Sequence, residues 1–138
     1  MQMSRLIVLT VMPLVLLGGQ AKVLKVGQEW EFTARQGDPH PTLVIDRIET
    51  LPKIGEIVHV SVWGVRIKNR RSPDGFTTDI AHMPFARVAL ESSLTRLLQD
   101  SVSLPAYEEG YEEWKKARGG VYTISVREVL DVIEQSLK

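Results

Sequence analysis

His40, His59 and His82 are the three histidines of this chain, and cysteine is absent. Without cysteine there is no disulfide, thiol nucleophile, thiolate zinc site or lipid-modified cysteine. The best polar constellation is TTDIAHMP, Thr77 to Pro84, which sets Asp79 and His82 at the junction of a strand and a helix. Side chains at such junctions often reach a cleft. His59, Asp79 and His82 together have the donor types of a zinc site, and a histidine–aspartate pair has those of an acid–base hydrolase. Either chemistry demands that the three groups converge, and spacing along the chain does not supply convergence. The plainer reading packs His82 at the start of the helix and leaves His59 as an exposed strand residue. No H-E-x-x-H helix, nucleophile elbow, Walker A loop or dinucleotide fingerprint occurs, so no cofactor is expected.

A second group of residues suits binding. Arg66, Lys68, Arg70 and Arg71 form a basic cluster that could attract an acidic partner, although a solvated strand face is the simpler account. Trp63, placed at a turn in the reading below, would be an exposed contact residue. Lysine plus arginine equal aspartate plus glutamate at 17 each, so no overall field favours nucleic acid. No aromatic residues interleave with the basic cluster to stack on bases. Glu108, Glu109, Glu112 and Glu113 make one helix acidic, while Tyr107, Tyr111 and Trp114 line its other side. A helix that short needs an apolar docking face, so these aromatics are expected beneath the sheet. Asp46 interrupts an apolar strand; turned inward it would need a partner, and an ion pair with another strand is expected.

The elements that must position these groups read as strands first and helices later. KVGQEWEFTAR alternates, with Trp30, Phe32 and Ala34 on one face, and Thr42 to Glu49 forms a β-branched second strand. In IVHVSVWGVRIKN, a two-residue turn at Trp63–Gly64 would put Val58, Val60, Val62, Val65 and Ile67 on one core. A continuous strand would instead switch its apolar face at the glycine. The hairpin is favoured, and it leaves His59 and Ser61 on the opposite face. A short strand, Phe76 to Ile80, then precedes a helix from Pro84 to about Gln99, striped by Ala86, Leu90, Leu94 and Leu97. Tyr107, Tyr111 and Trp114 mark a helix ending before Gly119–Gly120, VYTI a last strand, and Ser125 with Glu128 a capping box opening the final helix. The fold class is α+β: a mostly antiparallel sheet with hairpins, packed by about three helices in the C-terminal half.

The first 21 residues differ from the rest. Arg5, the apolar stretch Leu6 to Leu17, and the small residues Gly19 and Ala21 follow the order of a cleavable signal peptide. The apolar run is short of the roughly 20 residues that span a bilayer. A single domain is therefore expected over residues 22–138, periplasmic or secreted, with no membrane span after signal removal. VGQEWEF, GEIVHVSVWGVRIKN, HMPF and EGYEEW resemble blocks found together in an uncharacterised group of small bacterial proteins. The resemblance implies a shared fold and no particular activity, cofactor or partner. The functional expectation is an exported soluble binding or protein-interaction domain, inhibitor- or immunity-like, whose partner is another envelope or secreted protein. The alternative is a small hydrolase or metal-dependent enzyme using His59, Asp79 and His82.

Overall fold

The computed structural model describes residues 22–138; the expected signal segment, 1–21, lies outside them. The described residues form five strands: β1 (Glu29–Phe32), β2 (Thr42–Leu51), β3 (Gly55–Lys68), β4 (Phe76–Ala86) and β5 (Leu94–Gln99). Among the same residues three helices accompany them: α1 (Arg87–Ser93), α2 (Glu108–Lys116) and α3 (Val126–Ser136). The sheet order is β4-β3-β2-β1-β5, and every neighbouring pair is antiparallel. The fold is α+β, as the order of patterns implies.

One sheet face carries the main core. Leu43 and Ile45 of β2, Val58, Val60 and Val62 of β3, and Met83 and Phe85 of β4 pack with Leu90 of α1 and Val126, Val129 and Leu130 of α3. The start of α3 is fixed twice: Ser125 Oγ accepts the Glu128 amide at 3.2 Å, and Ser93 Oγ accepts the Val126 amide at 3.1 Å. The first of these is the cap expected from the sequence. The other sheet face is covered over β2, β3 and β4 by α2. With helices on both sides, Ile57 to Val62 is buried at every position, as expected of an interior strand covered on both faces.

Three departures from the expected elements matter for function. The first is at Trp63–Gly64, which does not turn. β3 runs through it, and the register against β4 shifts between Trp63↔Asp79 and Ile67↔Thr77. Gly64 has φ of 72°, and a Cβ there would lie 2.3 Å from the His40 carbonyl oxygen. This bulge performs the face switch that the hairpin was invoked to avoid, returning Val65 and Ile67 to the core of Val58, Val60 and Val62. The second departure is that β4 continues to Ala86 and α1 is short. Pro84 is tolerated there because β4 is an edge strand, and the chain at Tyr122 closes on it: Tyr122 N donates to Pro84 O and Ala86 N to Tyr122 O, each at 2.9 Å. The expected helix to Gln99 stops at Ser93, and residues 94–99 pair instead with β1. Lastly, VYTI makes only the parallel bridge Phe85↔Tyr122 rather than a strand.

Candidate functional site

Two bulges shape the sheet face under α2. In β2 the register passes from Ile45↔Val60 to Arg47↔His59, leaving Asp46 as the extra residue. In β4 it passes from Val62↔Ile80 to Val60↔Met83, leaving Ala81 and His82 opposite Ser61. Bulges re-aim side chains. Here they bring Asp46, Arg47, Glu49, His59, Ser61 and His82 together on three adjacent strands.

His59 is fully buried, not facing water as the hairpin implied. Its Nδ1 lies 2.8 Å from His82 Nε2 and its Nε2 3.0 Å from Glu49 Oε1. Tyr111 OH donates to Glu49 Oε2 at 2.9 Å, and Arg47 Nε donates to the same oxygen at 3.3 Å. An ionised carboxylate only accepts, so His59 carries its proton on Nε2 and its Nδ1 accepts from His82 Nε2–H. The result is a chain of single protons, His82 to His59 to Glu49. Tyr111 and Trp114 present their rings edge-on to His59, with centroids at 5.1 and 4.9 Å. The aromatic stripe of α2 is thus docked on the sheet, as its spacing suggested, but against imidazole rather than an aliphatic surface. Gly110 lets the helix approach: a Cβ there would sit 2.8 Å from His82 Cβ.

The surroundings set the charges. Burial lowers the pKa of His59, opposed by its hydrogen bond to Glu49. Burial, reinforced by His59, lowers that of His82 to about 4. Burial works to raise the Glu49 pKa, but the hydrogen bonds from Tyr111, His59 and Arg47 together leave it below the ordinary value. The histidine pair is therefore neutral and the carboxylate ionised near neutral pH.

Asp46 is the opposite case. It is 1% exposed, and instead of the expected ion pair it has Ser61 Oγ 2.6 Å from its Oδ2. That same Oγ is 2.6 Å from Ala81 O. A hydroxyl has one hydrogen, and a carbonyl oxygen can only accept. Both short contacts are hydrogen bonds only if Ser61 donates to Ala81 and a protonated Asp46 donates to Ser61. Burial raises the Asp46 pKa to about 7 against the pull of Ser61, with Glu108 adding to the rise, which agrees with that proton count. Asp46 Oδ1 is buried without a hydrogen-bond partner, a cost smaller for a neutral carboxyl than for a carboxylate.

Of the residues singled out in the sequence, His59 and His82 meet directly, but Asp79 does not join them. It is exposed and sits in register with Trp63. Among the described residues, no group of three or more histidine, aspartate or glutamate side chains is placed to hold a metal ion. The physical reason is that both His59 nitrogens already have partners, one of them His82 itself. Trp63 is half-buried within β3, not at a turn tip. Arg66 and Lys68 alternate with buried Val65 and Ile67 as expected, with the Arg66 guanidinium 4.1 Å from the centre of the Phe76 ring. Their amides donate to Asp38 and Glu134, so carboxylates flank this strand face. Arg70 and Arg71 lie in the β3–β4 turn. Glu49, Arg47, Ser61 and Gly110 were not read as site residues; the signal that could have found Glu49 is its two-residue spacing from Arg47, the register partner of His59.

Beside the cluster, the C-terminal half of α2 and the β2–β3 turn enclose a cleft of about 440 Å³, bounded by Glu49, Leu51, Ile54, Tyr111, Trp114 and Arg118. Comparison with family models, curated proteins and solved structures found no match.

Proposed function

We propose that residues 22–138 form an exported, water-soluble binding domain that takes its ligand on the α2 side of the sheet. The supporting observation is how the polar groups are used. Glu49, both nitrogens of His59 and one nitrogen of His82 bond to one another and to α2, while a preformed cleft of ligand size opens beside them. The remaining ring nitrogen, His82 Nδ1, is held near Gly110. A histidine with a pKa near 4 is a weak base at neutral pH, which favours binding over hydrolysis. Export rests on the order Arg5, Leu6 to Leu17, Gly19 and Ala21. No helix among the described residues is long and apolar enough to cross a membrane. GEIVHVSVWGVRIKN and EGYEEW, two of the blocks resembling the bacterial group, supply β3 and most of α2, so this face would be a shared one.

The test is site-specific photocrosslinking in the native host. The photoreactive residue p-benzoylphenylalanine replaces Lys115 in one strain and Arg70, within the basic cluster, in another. A light-dependent adduct at position 115, in an extracytoplasmic fraction whose intact mass begins at Lys22, is the expected result. An adduct at position 70 alone would move recognition to the basic cluster and overturn the assignment of this face. Full-length, cytoplasmic protein would overturn export.

A further inference from the structure

We propose that the cleft between α2 and the β2–β3 turn binds a small organic anion with a flat apolar body, of the aryl-carboxylate class. This rests on the binding-domain reading and names the chemistry of its site. Three cations, Arg47, Lys115 and Arg118, line the cleft against one carboxylate, Glu49. Glu49 is already held by His59, Tyr111 and Arg47, which takes up the Arg47 charge and leaves Lys115 and Arg118 to make the opening positive. Leu51, Ile54, Tyr111 and Trp114 supply the apolar walls. Trp114 Nε1 donates to Gly120 O at 2.9 Å, which fixes the indole ring as a wall. Cations set around aromatic and aliphatic walls match a carboxylate joined to a planar ring.

Backbone strain points to the same place independently. Among the described residues two non-glycine residues have positive φ, Lys53 at 69° and Arg118 at 50°. Arg118 itself lines this cleft, and Lys53 is the chain neighbour of the lining residue Ile54. Helix ends commonly place glycine in the left-handed position, because a side chain there costs roughly 1 kcal/mol. Gly119 is the next residue, yet Arg118 takes that position. Strain kept where an unstrained residue is one step away suggests that the side chain has a use. The larger cavity of about 690 Å³ lacks this bias. There the cations Arg35, Arg66, Lys68 and Arg127 face the carboxylates Glu128, Asp131 and Glu134, and buried Arg35 is paired with Asp38 and Asp131.

The experiment titrates the protein with 4-phenylbutyrate and with its neutral counterpart 4-phenylbutanamide, following the Trp114 indole N–H by NMR. Saturable binding of the acid is expected, with the amide at least tenfold weaker. The double variant Lys115→Ala/Arg118→Ala should bind the acid at least tenfold more weakly, and Arg66→Ala/Lys68→Ala should bind it as the parent does. Arg118→Gly separates strain from folding: it should unfold at a higher temperature while binding more weakly. Equal binding of acid and amide, full binding by the Lys115/Arg118 variant, or no saturable shift with either compound would each overturn the assignment. A photoadduct at position 115 without binding of 4-phenylbutyrate would refute the ligand class and leave the binding-domain reading standing.

Discussion

Replacing Asp46 with asparagine should stabilise the protein at neutral pH, although it removes a hydrogen-bonded residue that is 1% exposed. The Asp46 pKa rises from the ordinary 3.8 of the unfolded chain to about 7 in the fold. A raised carboxyl pKa means that the folded state holds the proton more tightly. The stability this confers is fully present below pH 3.8 and is lost as the pH climbs to 7. The slope is about 1.4 kcal/mol per pH unit, roughly 4 kcal/mol over the whole interval as an upper limit. Asparagine keeps the shape and offers Ser61 an N–H where the protonated carboxyl offered an O–H, yet it cannot ionise. Urea unfolding of both proteins between pH 4.5 and 7 should therefore show a gap of about 1 kcal/mol or less at the acid end. By pH 7 the variant should lead by about 2–3 kcal/mol, allowing for some water penetration. His82 supplies the reverse dependence. Its pKa falls from 6.5 to about 4, so its contribution is present above 6.5 and lost as the pH drops toward 4. Below pH 6.5 folding thus takes a proton from His82 while Asp46 holds one, and the two slopes oppose each other in the parent protein. A constant deficit of the asparagine variant at every pH, or a gap that widens toward acid, would refute the proton count at Ser61.

Three shorter predictions test how α2 and β3 are held. Gly110→Ala gains about 1 kcal/mol of helix propensity but drives a methyl to 2.8 Å from His82 Cβ, which overpacking costs of roughly 1–3 kcal/mol outweigh. Net destabilisation with faster hydrogen exchange along α2 is expected, and a stabilised variant would mean that the helix does not sit this close. Tyr111→Phe removes a donor from ionised Glu49 and should cost about 1–2 kcal/mol in urea unfolding while raising the Glu49 pKa measured by carboxyl NMR. An unchanged Glu49 titration would place the hydroxyl elsewhere. Gly64→Ala combines a left-handed backbone with a contact of 2.3 Å to an immobile carbonyl, so a loss of roughly 3 kcal/mol or more in thermal unfolding is expected. Wild-type stability would mean that Gly64 is neither left-handed nor packed against the His40 carbonyl.

Local pattern carried the reading of the sequence a long way and then met its limit at the bulges. The cap at Ser125, the stripe of Tyr111 and Trp114 and the alternation of Trp30 and Phe32 depend on neighbours a few residues away, so they are visible in one dimension. Gly64 is different. A two-residue turn and a bulge both put Val62 and Val65 on one core, and the choice between them is made by pairing with β4, ten or more residues on. His59 was assigned a face correctly, but its burial is decided by α2, some fifty residues later. Asp79 lost its place to Glu49 for the same reason: bulges at Asp46 and at Ala81–His82 set which carboxylate reaches the imidazoles. The stripe from Ala86 to Leu97 misled because Leu90 and Leu94 are buried while Leu97 is 40% exposed, so the helical period ends where β5 begins.

The polar cluster and the cleft are better regarded as one device than as neighbours. α2 spans only nine residues, too few to persist alone in water, so it stays helical because it is docked. Its docking face is not an aliphatic stripe: Tyr111 is tied to Glu49, Trp114 and Tyr111 clasp His59, and Gly110 rests on His82. Tyr111 and Trp114 also form a wall of the cleft, and Glu49 belongs to both. An apolar seam would hold a helix in any of several slid positions, whereas a chain of single protons accepts only one register. The buried histidines therefore act on the cleft through the helix they position. Disturbing their proton count should alter the spacing between Arg118 and Ile54 before it alters the main core, which lies on the other face of the sheet.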